Sequence, residues 1–342
     1  MQIEPLDLEN AAQLAEWDAF VAHSPQASFF HLSNWARVLQ KAFGFKIHYL
    51  VARSEDNIIA ILPLTHVRRP MLINAMISNP LCVHCGPVGN AVACTSLLNH
   101  AQELSKQVGA DYLEVRSLTP LGNEFEQVDH NAYFIKPLPD SIEAILTDIP
   151  RKQRAEVRRG FKSGLTAKFD QDISDFYPIY ANSVHGLGTP VFPRAYAKLL
   201  FDIFEDQCRI LTVRKDNQPV TSVLTFYFRD TIMPYYGGGR PQARSVGAYH
   251  FMYHQLMELG FTDGFKIFDF GRSAKGSGAY NFKRYFGFEP QDLHYGYKRI
   301  KIKQLPDMDP ISQRNSLITG IWQKLPAPIV NRAGPLLYPV VV

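Results

Sequence analysis

The chain has 342 residues, of which 46% are hydrophobic and 20% are charged, with a formal net charge of +4. This length and composition suit about two packed globular domains, exclude an intrinsically disordered chain, and favour anionic over cationic ligands. Four cysteines in a chain of this length exclude a disulfide scaffold, and no run of roughly 18 apolar residues predicts a membrane-spanning helix.

The first half is predicted to mix helices and strands. Apolar residues at helical spacing predict helices, and short apolar runs bounded by polar turns predict strands. The predicted elements are, in chain order, a helix over 11–23, a helix starting at Ser33, a hairpin of 48–53 and 58–65 with its turn at 54–57, a strand over 71–78, a helix over 95–108 and a strand over 112–116.

The second half repeats this order of elements without repeating the sequence. Its predicted elements are helices over 175–183 and 194–204, strands over 209–214 and 220–228, a strand over 231–236 ended by the glycines 237–239, a helix over 246–260 with Gly260 as its C-cap, and a strand over 266–270. A duplicated α+β unit is the simplest explanation of the repeat.

Residues 137–149 are predicted to be a linker that leads into a helix. We therefore predict an N-terminal domain over 1–140, a C-terminal domain over 141–305 and a tail over 306–342. The tail has apolar residues without a clear period, and it either packs on the body of the protein or docks on a membrane surface. The acidic start of the chain does not resemble a signal peptide, so we expect a cytoplasmic protein, with peripheral contact to the inner membrane as an option.

Residues 151–162 carry six cations and one acid. On a helix, the six cations lie within about half of the circumference, where they repel one another unless an anion binds. Phosphate is the natural partner of planar guanidinium groups. We therefore predict that Arg154, Arg158 and Arg159 contact a phosphate-bearing substrate; a solvated surface helix is the alternative.

Residues 267–290 combine a strand that ends near Asp269, a glycine-rich loop and a lysine among aromatic residues. Lys283 is expected to be partly desolvated, which strengthens its interaction with an oxyanion. Asp269 is the first candidate for the general base, and His185, in a turn-rich segment, is the second. A tight loop beside an aromatic core is the alternative interpretation.

Tyr236 and Arg240 flank a run of three glycines before a predicted helix. Backbone amides at such a strand–loop–helix junction can hold phosphate groups, and a plain glycine-rich turn is the alternative. The sequence from Cys82 to Cys85 invites a metal interpretation, but a structural zinc site needs a second ligand pair at suitable spacing. We therefore predict no metal site.

Three segments resemble a known family. Residues 151–164 resemble the arginine-rich helix that opens the second domain of Fem-type peptidyltransferases, and residues 278–283 resemble the Gly-x-Tyr-x-Phe-Lys segment of that family. Residues 187–192 are similar to FemAB-related proteins found beside exosortase (PEP-CTERM) and exopolysaccharide genes. The resemblance implies an α+β fold with two tandem GNAT-like (acyl-CoA N-acyltransferase) domains, each a mixed, mostly antiparallel sheet flanked by helices, and an active site in the second domain.

The resemblance also implies roles for individual residues. Phe282 and Lys283 would lie beside the acyl donor and the oxyanion, with Tyr280 in the same segment contacting substrate. Arg154, Arg158 and Arg272 would face an anionic substrate or tRNA phosphate. The coenzyme A loop of GNAT enzymes has glycine or alanine where this chain has Tyr249, so the donor is left open as acyl-CoA or aminoacyl-tRNA.

The predicted function is N-acyl transfer to an amine of a cell-envelope or exopolysaccharide precursor. The expected partners are a nucleotide- or lipid-linked sugar precursor and, in one alternative, tRNA. That alternative is a tRNA-dependent aminoacyltransferase of the peptidoglycan bridge. A non-catalytic module that holds the precursor in a basic cleft is the other.

Overall fold

The computed structural model describes residues 1–306 and 313–338. Residues 1–130 contain β1 (Gln2–Pro5), α1 (Ala11–His23), α2 (Ser33–Phe43), β2 (Lys46–Ile47), β3 (Leu50–Ser54), β4 (Asn57–Leu62), β5 (Thr65–Arg69), β6 (Ile73–Ile77), β7 (Val88–Gly89), α3 (Ala91–Gln107), β8 (Tyr112–Ser117) and β9 (Glu126–Val128).

The rest of the described chain begins with a strand that the sequence analysis assigned in part to a linker. Its elements are β10 (Asn131–Pro137), α4 (Ile142–Asp148), α5 (Arg151–Lys162), β11 (Thr166–Asp170), α6 (Phe176–Gly186), α7 (Arg194–Phe204), β12 (Cys208–Lys215), β13 (Gln218–Phe228), β14 (Thr231–Gly239), α8 (Ala248–Thr262), β15 (Ile267–Ala274), α9 (Gly278–Tyr285), β16 (Gln291–Asp292), β17 (His294–Arg299), α10 (Gln313–Lys324) and α11 (Ala327–Leu337).

The chain divides into two compact units. The described residues of unit 1 are 1–130 and 292–306, and those of unit 2 are 131–291 and 313–338. The border lies near 130 rather than at the predicted 140, because β10 pairs along its length with β15, which belongs to the sheet of unit 2. The predicted tail also differs, since both of its described helices belong to unit 2.

Unit 1 contains two sheets, with strand orders β1-β3-β4-β7 and β2-β5-β6-β8-β17-β9. All of its strand pairs are antiparallel except β6 with β8. The helix α3 packs Leu97 and Ala101 against the strands, in a core with Leu62 and Leu113. The strand β17, which follows residues 131–291 of unit 2 in the chain, belongs to unit 1 and pairs with β8.

Unit 2 contains one seven-stranded sheet with the order β11-β12-β13-β14-β15-β10-β16. Within this sheet, β14 and β15 pair in parallel. One face of the sheet packs on α8, where Phe251 and Leu256 join a core with Phe268 and Phe270. The opposite face contacts α6 and α7, as the ring contacts of Tyr180 and Tyr196 with Tyr236 show. Because both faces are covered, β13 is an almost continuous buried run.

Most predicted elements are confirmed, including the helices 11–23 and 194–204 at their predicted bounds. The helix predicted over 95–108 begins earlier, at Ala91, because the side chain of Asn90 accepts hydrogen bonds from the first free N–H groups. The mixed sheets of the two units, each packed with helices, confirm the predicted α+β fold class.

Two predictions about glycines are wrong. Gly260 is an interior residue of α8, whose C-cap is Asp263. Glycine suits this position because a Cβ here would lie 1.7 Å from the Cδ1 of Ile232. The glycines 237–239 continue β14 rather than ending it. A Cβ on Gly238 would lie 2.9 Å from the Cα of Tyr180, so glycine here lets α6 pack closely on the strand.

No helix of the described residues is both long enough and apolar enough to cross a bilayer.

Candidate active site

An opening between β14 and β15 is the first feature of the site. Both strands are long, but their parallel pairing is limited to two residue pairs, Thr231 with Ile267 and Ile232 with Phe268. Beyond this point β14 contains Pro234, which has no N–H to donate, and a register shift that leaves Tyr235 as an extra residue. Beyond Ile232 and Phe268 these two described strands form no further ladder pairs with each other, and this unpaired stretch is the opening.

A second irregularity, in β15, decides which side chains share a face. Ile135 of β10 lies opposite Asp269, Phe134 lies opposite Gly271, and Phe270 is the extra residue. In a regular strand, residues three apart point to opposite faces. The bulge instead places Arg272, which is opposite Tyr133, on the same face as Asp269.

The carboxylate of Asp269 is buried, with only 2% of the residue exposed. The hydroxyl of Tyr133 donates to its Oδ2 at 2.6 Å, and the backbone N–H of Gly271 donates to its Oδ1 at 2.7 Å. Burial raises the pKa of Asp269 to about 6, although both hydrogen bonds and the charge of Lys283 oppose the shift. The group is therefore ionised at neutral pH but able to take up a proton.

Lys283 reaches the same region from α9, a helix that begins with Ser277 accepting a hydrogen bond from the N–H of Tyr280. Its ammonium donates to the carbonyl of Arg272 at 2.9 Å and to that of Gly271 at 3.3 Å. Part of the side chain reaches the surface, but desolvation of the amine lowers its pKa to about 7, against the opposing effect of Asp269. An ammonium has three N–H donors, so one remains for a ligand.

A group of tyrosines lies on the other side of the opening. The hydroxyl of Tyr236, on β14, is 3.0 Å from the hydroxyl of Tyr196. The hydroxyl of Tyr338, at the end of α11, donates to that of Tyr236 at 3.5 Å. Phe192 contacts all three rings, with centroids 4.8 to 5.6 Å apart. The four side chains form a buried set that we call the aromatic cluster.

The cations of α5 divide into two kinds. Arg154 donates to the carbonyls of Thr147 and Ile149, so its guanidinium caps the end of α4. Arg158 and Arg159 are exposed, and Arg159 pairs with Glu156 at 3.1 Å. The predicted phosphate contact by Arg154 stays untested, but the structure gives this residue a structural role.

The start of α8 is covered by α5. Gly247 and Ala248 are buried, and a Cβ on Gly247 would lie 2.4 Å from the carbonyl oxygen of Glu156. His250 in the first turn of α8 also hydrogen-bonds Gln153 at 2.7 Å. The first N–H groups of α8 are thus not open to a pyrophosphate in this conformation.

The structure does not bring every predicted residue into this region. His185 lies near the end of α6, and no hydrogen bond of the described residues joins it to Asp269 or Lys283. Phe282 packs its ring on His250 and Tyr253. Tyr280 packs on Phe134, beside Lys283. Arg240 is exposed at the end of β14.

Two residues of the site were missed by the sequence analysis. Tyr133 falls at the end of the predicted N-terminal domain, and Tyr338 falls in the predicted tail. A short apolar run over 132–135 was available as a strand signal for the first, whereas nothing local indicates that Tyr338 meets Tyr236.

Cys82 and Cys85 are buried, and their thiols donate to the carbonyls of Asn79 and Phe30. Burial is the largest cause of the raised pKa of the Cys85 thiol, which disfavours the reactive thiolate. Within the described part of the chain, no group of three or more histidine, cysteine and acidic residues could hold a metal ion.

A parallel strand pair that opens beside a buried carboxylate and a lysine, in a tandem α+β chain, is typical of the GNAT-type fold. Comparison with known proteins agrees. Residues 151–284 match the acetyltransferase (GNAT) domain family. No curated protein matches the sequence.

Solved structures extend the likeness to most of the chain. FemX superposes with a TM-score of 0.65 at 14% identity, over 88% of this chain and 98% of FemX. The C-terminal domain of a putative lysylphosphatidylglycerol synthetase from Agrobacterium fabrum gives 0.58 at 13% identity, over 84% of this chain and 92% of that chain. A tandem GNAT protein from the clavulanic acid biosynthesis pathway superposes with a TM-score of 0.57 at 13% identity, over 89% of this chain and 99% of that chain.

Residues 151–284 are thus a GNAT acetyltransferase domain, and the chain has the tandem fold of FemX. This confirms the FemAB-like, GNAT-like resemblance inferred from the sequence.

Proposed function

We propose that unit 2 transfers an acyl group from a phosphate-bearing donor, acyl-CoA in the first instance, to an amine of a cell-envelope or exopolysaccharide precursor. The observation that carries the proposal is that Asp269 and Lys283 both lie on or beside β15 at the opening, close enough to influence each other electrostatically. A base that accepts a proton near neutral pH and a cation with a free N–H are the two groups that amide formation needs.

The reaction follows from these two groups. The amine nitrogen of the acceptor attacks the acyl carbonyl carbon, and the carbonyl oxygen becomes an oxyanion. The ammonium of Lys283 donates a hydrogen bond to that oxyanion, while the carboxylate of Asp269 takes a proton from the attacking nitrogen. The oxyanion then reforms the carbonyl as the carbon–sulfur bond of a thioester donor breaks. The thiolate leaves and takes a proton from solvent, and Asp269 returns its proton to solvent.

The exposed cations of α5 supply a place for the phosphates of the donor. Arg158 and Arg159 lie on the helix that covers the start of α8, and Arg159 influences His250 there. Surface guanidinium groups bind phosphate bidentately. The GNAT family match supports acyl-CoA as the donor.

A second donor, aminoacyl-tRNA, is favoured by one observation. The amides at the start of α8, to which a coenzyme A pyrophosphate would bind, are buried against α5. A donor whose phosphates lie along the exposed face of α5 does not need them.

The donor test is calorimetric titration of the purified protein with acetyl-CoA and, separately, with charged tRNA at moderate salt. Binding of acetyl-CoA supports the first donor. Binding of charged tRNA alone, weakening as salt rises, supports the second. Binding of neither contradicts both donors.

The catalytic test compares Lys283→Ala with Arg284→Ala, which removes the exposed cation at the next position of α9. We expect Lys283→Ala to lose at least about a hundredfold in kcat with a panel of nucleotide-linked amino sugars, and Arg284→Ala to stay near wild type. A Lys283→Ala variant with full turnover would contradict the assignment of the site. A wild-type protein that binds donor and precursor but transfers nothing would instead be a non-catalytic module.

A further inference from the structure

The end of the C-terminal helix α11 is built into the same face of unit 2 as Asp269. The hydroxyl of Tyr338 is 3.5 Å from that of Tyr236, and its ring centroid is 5.6 Å from Phe192. Arg272, which shares the face of Asp269, is close enough to Tyr338 to influence its phenol electrostatically. Through Tyr338, the aromatic cluster thus comes close to Arg272, on the face of the sheet that carries Asp269.

Close backbone packing holds the tail in this position. A Cβ on Gly334 of α11 would lie 3.1 Å from both the backbone nitrogen and the carbonyl oxygen of Val191. A Cβ on Gly188, which has a φ of +75°, would lie 2.3 Å from the Cγ2 of Thr319 on α10. Gln323 of α10 also donates to the carbonyl of Gly186 at 3.0 Å. The described tail helices are therefore packed on the segment 186–192 rather than standing free.

A donor that enters between β14 and β15 would bring its acyl chain against the aromatic cluster, because Tyr236 lies on β14, one of the two strands that flank the opening. Behind Tyr236 are the rings of Tyr196 and Tyr338, each less than a tenth exposed. A long chain would have to displace a ring, whereas a short chain would not.

We propose that Tyr338 is a specificity-determining residue, whose ring closes the acyl pocket and limits the donor to a short acyl group. The inference rests on the proposed acyl transfer by unit 2. The ring, rather than the hydroxyl, sets the limit, since the ring occupies the volume.

The experiment measures binding and thioester consumption for acetyl-, butyryl- and hexanoyl-CoA with the wild-type chain, Tyr338→Ala and Tyr338→Phe. We expect hexanoyl-CoA to be at least about tenfold poorer than acetyl-CoA for the wild type, because a filled pocket rejects extra methylenes. Tyr338→Ala should bring the two donors within about threefold of each other. Tyr338→Phe, which keeps the ring, should retain the wild-type preference.

The outcomes separate this inference from the proposed function. A wild type that uses acetyl-CoA, with a chain-length preference unchanged in Tyr338→Ala, overturns the inference and leaves acyl transfer intact. A wild type that accepts hexanoyl-CoA as well as acetyl-CoA overturns it too. A wild type that uses no acyl-CoA contradicts both the inference about Tyr338 and the proposed transfer from acyl-CoA. If Tyr338→Ala fails to fold, Tyr338→Leu gives the same comparison with an apolar side chain that keeps the position buried, and an unchanged preference there is equally decisive.

Discussion

The two units place a carboxylate at the same position of the same motif. Each unit has a parallel strand pair, β6 with β8 in unit 1 and β14 with β15 in unit 2. Glu114 is the third residue of β8, and Asp269 is the third residue of β15. On its other side each of these strands pairs with an antiparallel strand, β17 in unit 1 and β10 in unit 2.

The surroundings of the two carboxylates differ. Glu114 forms a 2.6 Å ion pair with Arg116, and both side chains are at most 5% exposed. Asp269 has two hydrogen-bond donors, Tyr133 and Gly271, and forms no direct salt bridge among the described residues. Glu114 is thus held in a buried ion pair, whereas burial raises the pKa of Asp269 to about 6, so that this carboxylate can exchange a proton near neutral pH. The same position of the motif therefore carries a structural acid in unit 1 and a titratable acid in unit 2.

The largest effect is expected from Asp269→Asn. Loss of the base should lower kcat/KM by about 10²- to 10⁴-fold. The variant should nevertheless be at least as stable as the wild type at pH 7.5. The folded pKa of Asp269, about 6, lies above its unfolded value of about 3.9, so the wild type loses unfolding free energy as pH rises through this window. Steady-state kinetics and thermal unfolding of the same samples check both statements.

His185→Asn is the control for this prediction, because His185 is the second candidate base. It should change kcat/KM by less than about threefold, since it shares no hydrogen bond with Asp269 or Lys283. A large loss in His185→Asn, with Asp269→Asn active, would transfer the role of base to the histidine.

The matching substitution in unit 1 should act on stability instead. Glu114→Gln leaves the buried guanidinium of Arg116 without its counter-charge, which costs about 3 kcal/mol of unfolding free energy. Chemical denaturation measures the loss, and kcat per folded molecule should stay near wild type. An unfolding free energy within about 0.5 kcal/mol of wild type would show that the pair is not what separates the two units.

The pH dependence of kcat/KM should show both titrations of unit 2. Activity requires Asp269 ionised and Lys283 protonated, so it should rise through about pH 6 and fall through about pH 7. Lys283→Arg retains a charge at all accessible pH values, and its residual activity should lack the alkaline fall. An alkaline fall that persists in Lys283→Arg would assign it to another group.

The sequence predicts the order of elements well, because helical spacing and turn residues act locally. The sequence also shows why Glu114, unlike Asp269, lies in an ion pair. Glu114 and Arg116 are two residues apart on one strand, so they share a face and pair.

The active face of unit 2 could not be predicted in the same way. Asp269 and Arg272 are three residues apart and share a face only because of the bulge at Phe270. No local pattern in the sequence predicts this bulge. Tyr133 and Tyr338 come from β10 and α11, 136 and 69 residues from Asp269 along the chain, and only tertiary pairing brings them to the site.

The smallest and sharpest effect is expected from Tyr133→Phe. The hydroxyl of Tyr133 donates to the ionised form of Asp269 and so opposes the rise in its pKa. Removing this donor should raise the pKa further and move the acid limb of the pH profile upward, by up to about one pH unit, with little change in the maximum rate. In unit 1, Tyr297 of β17 is opposite Glu114 in register and is equally buried, so Tyr297→Phe is the matched control and should leave the limb in place. A Tyr133→Phe variant with an unmoved acid limb would mean that Asp269 is not the group that titrates there. The difference between the two units would then lie in their packing rather than in their acid–base chemistry.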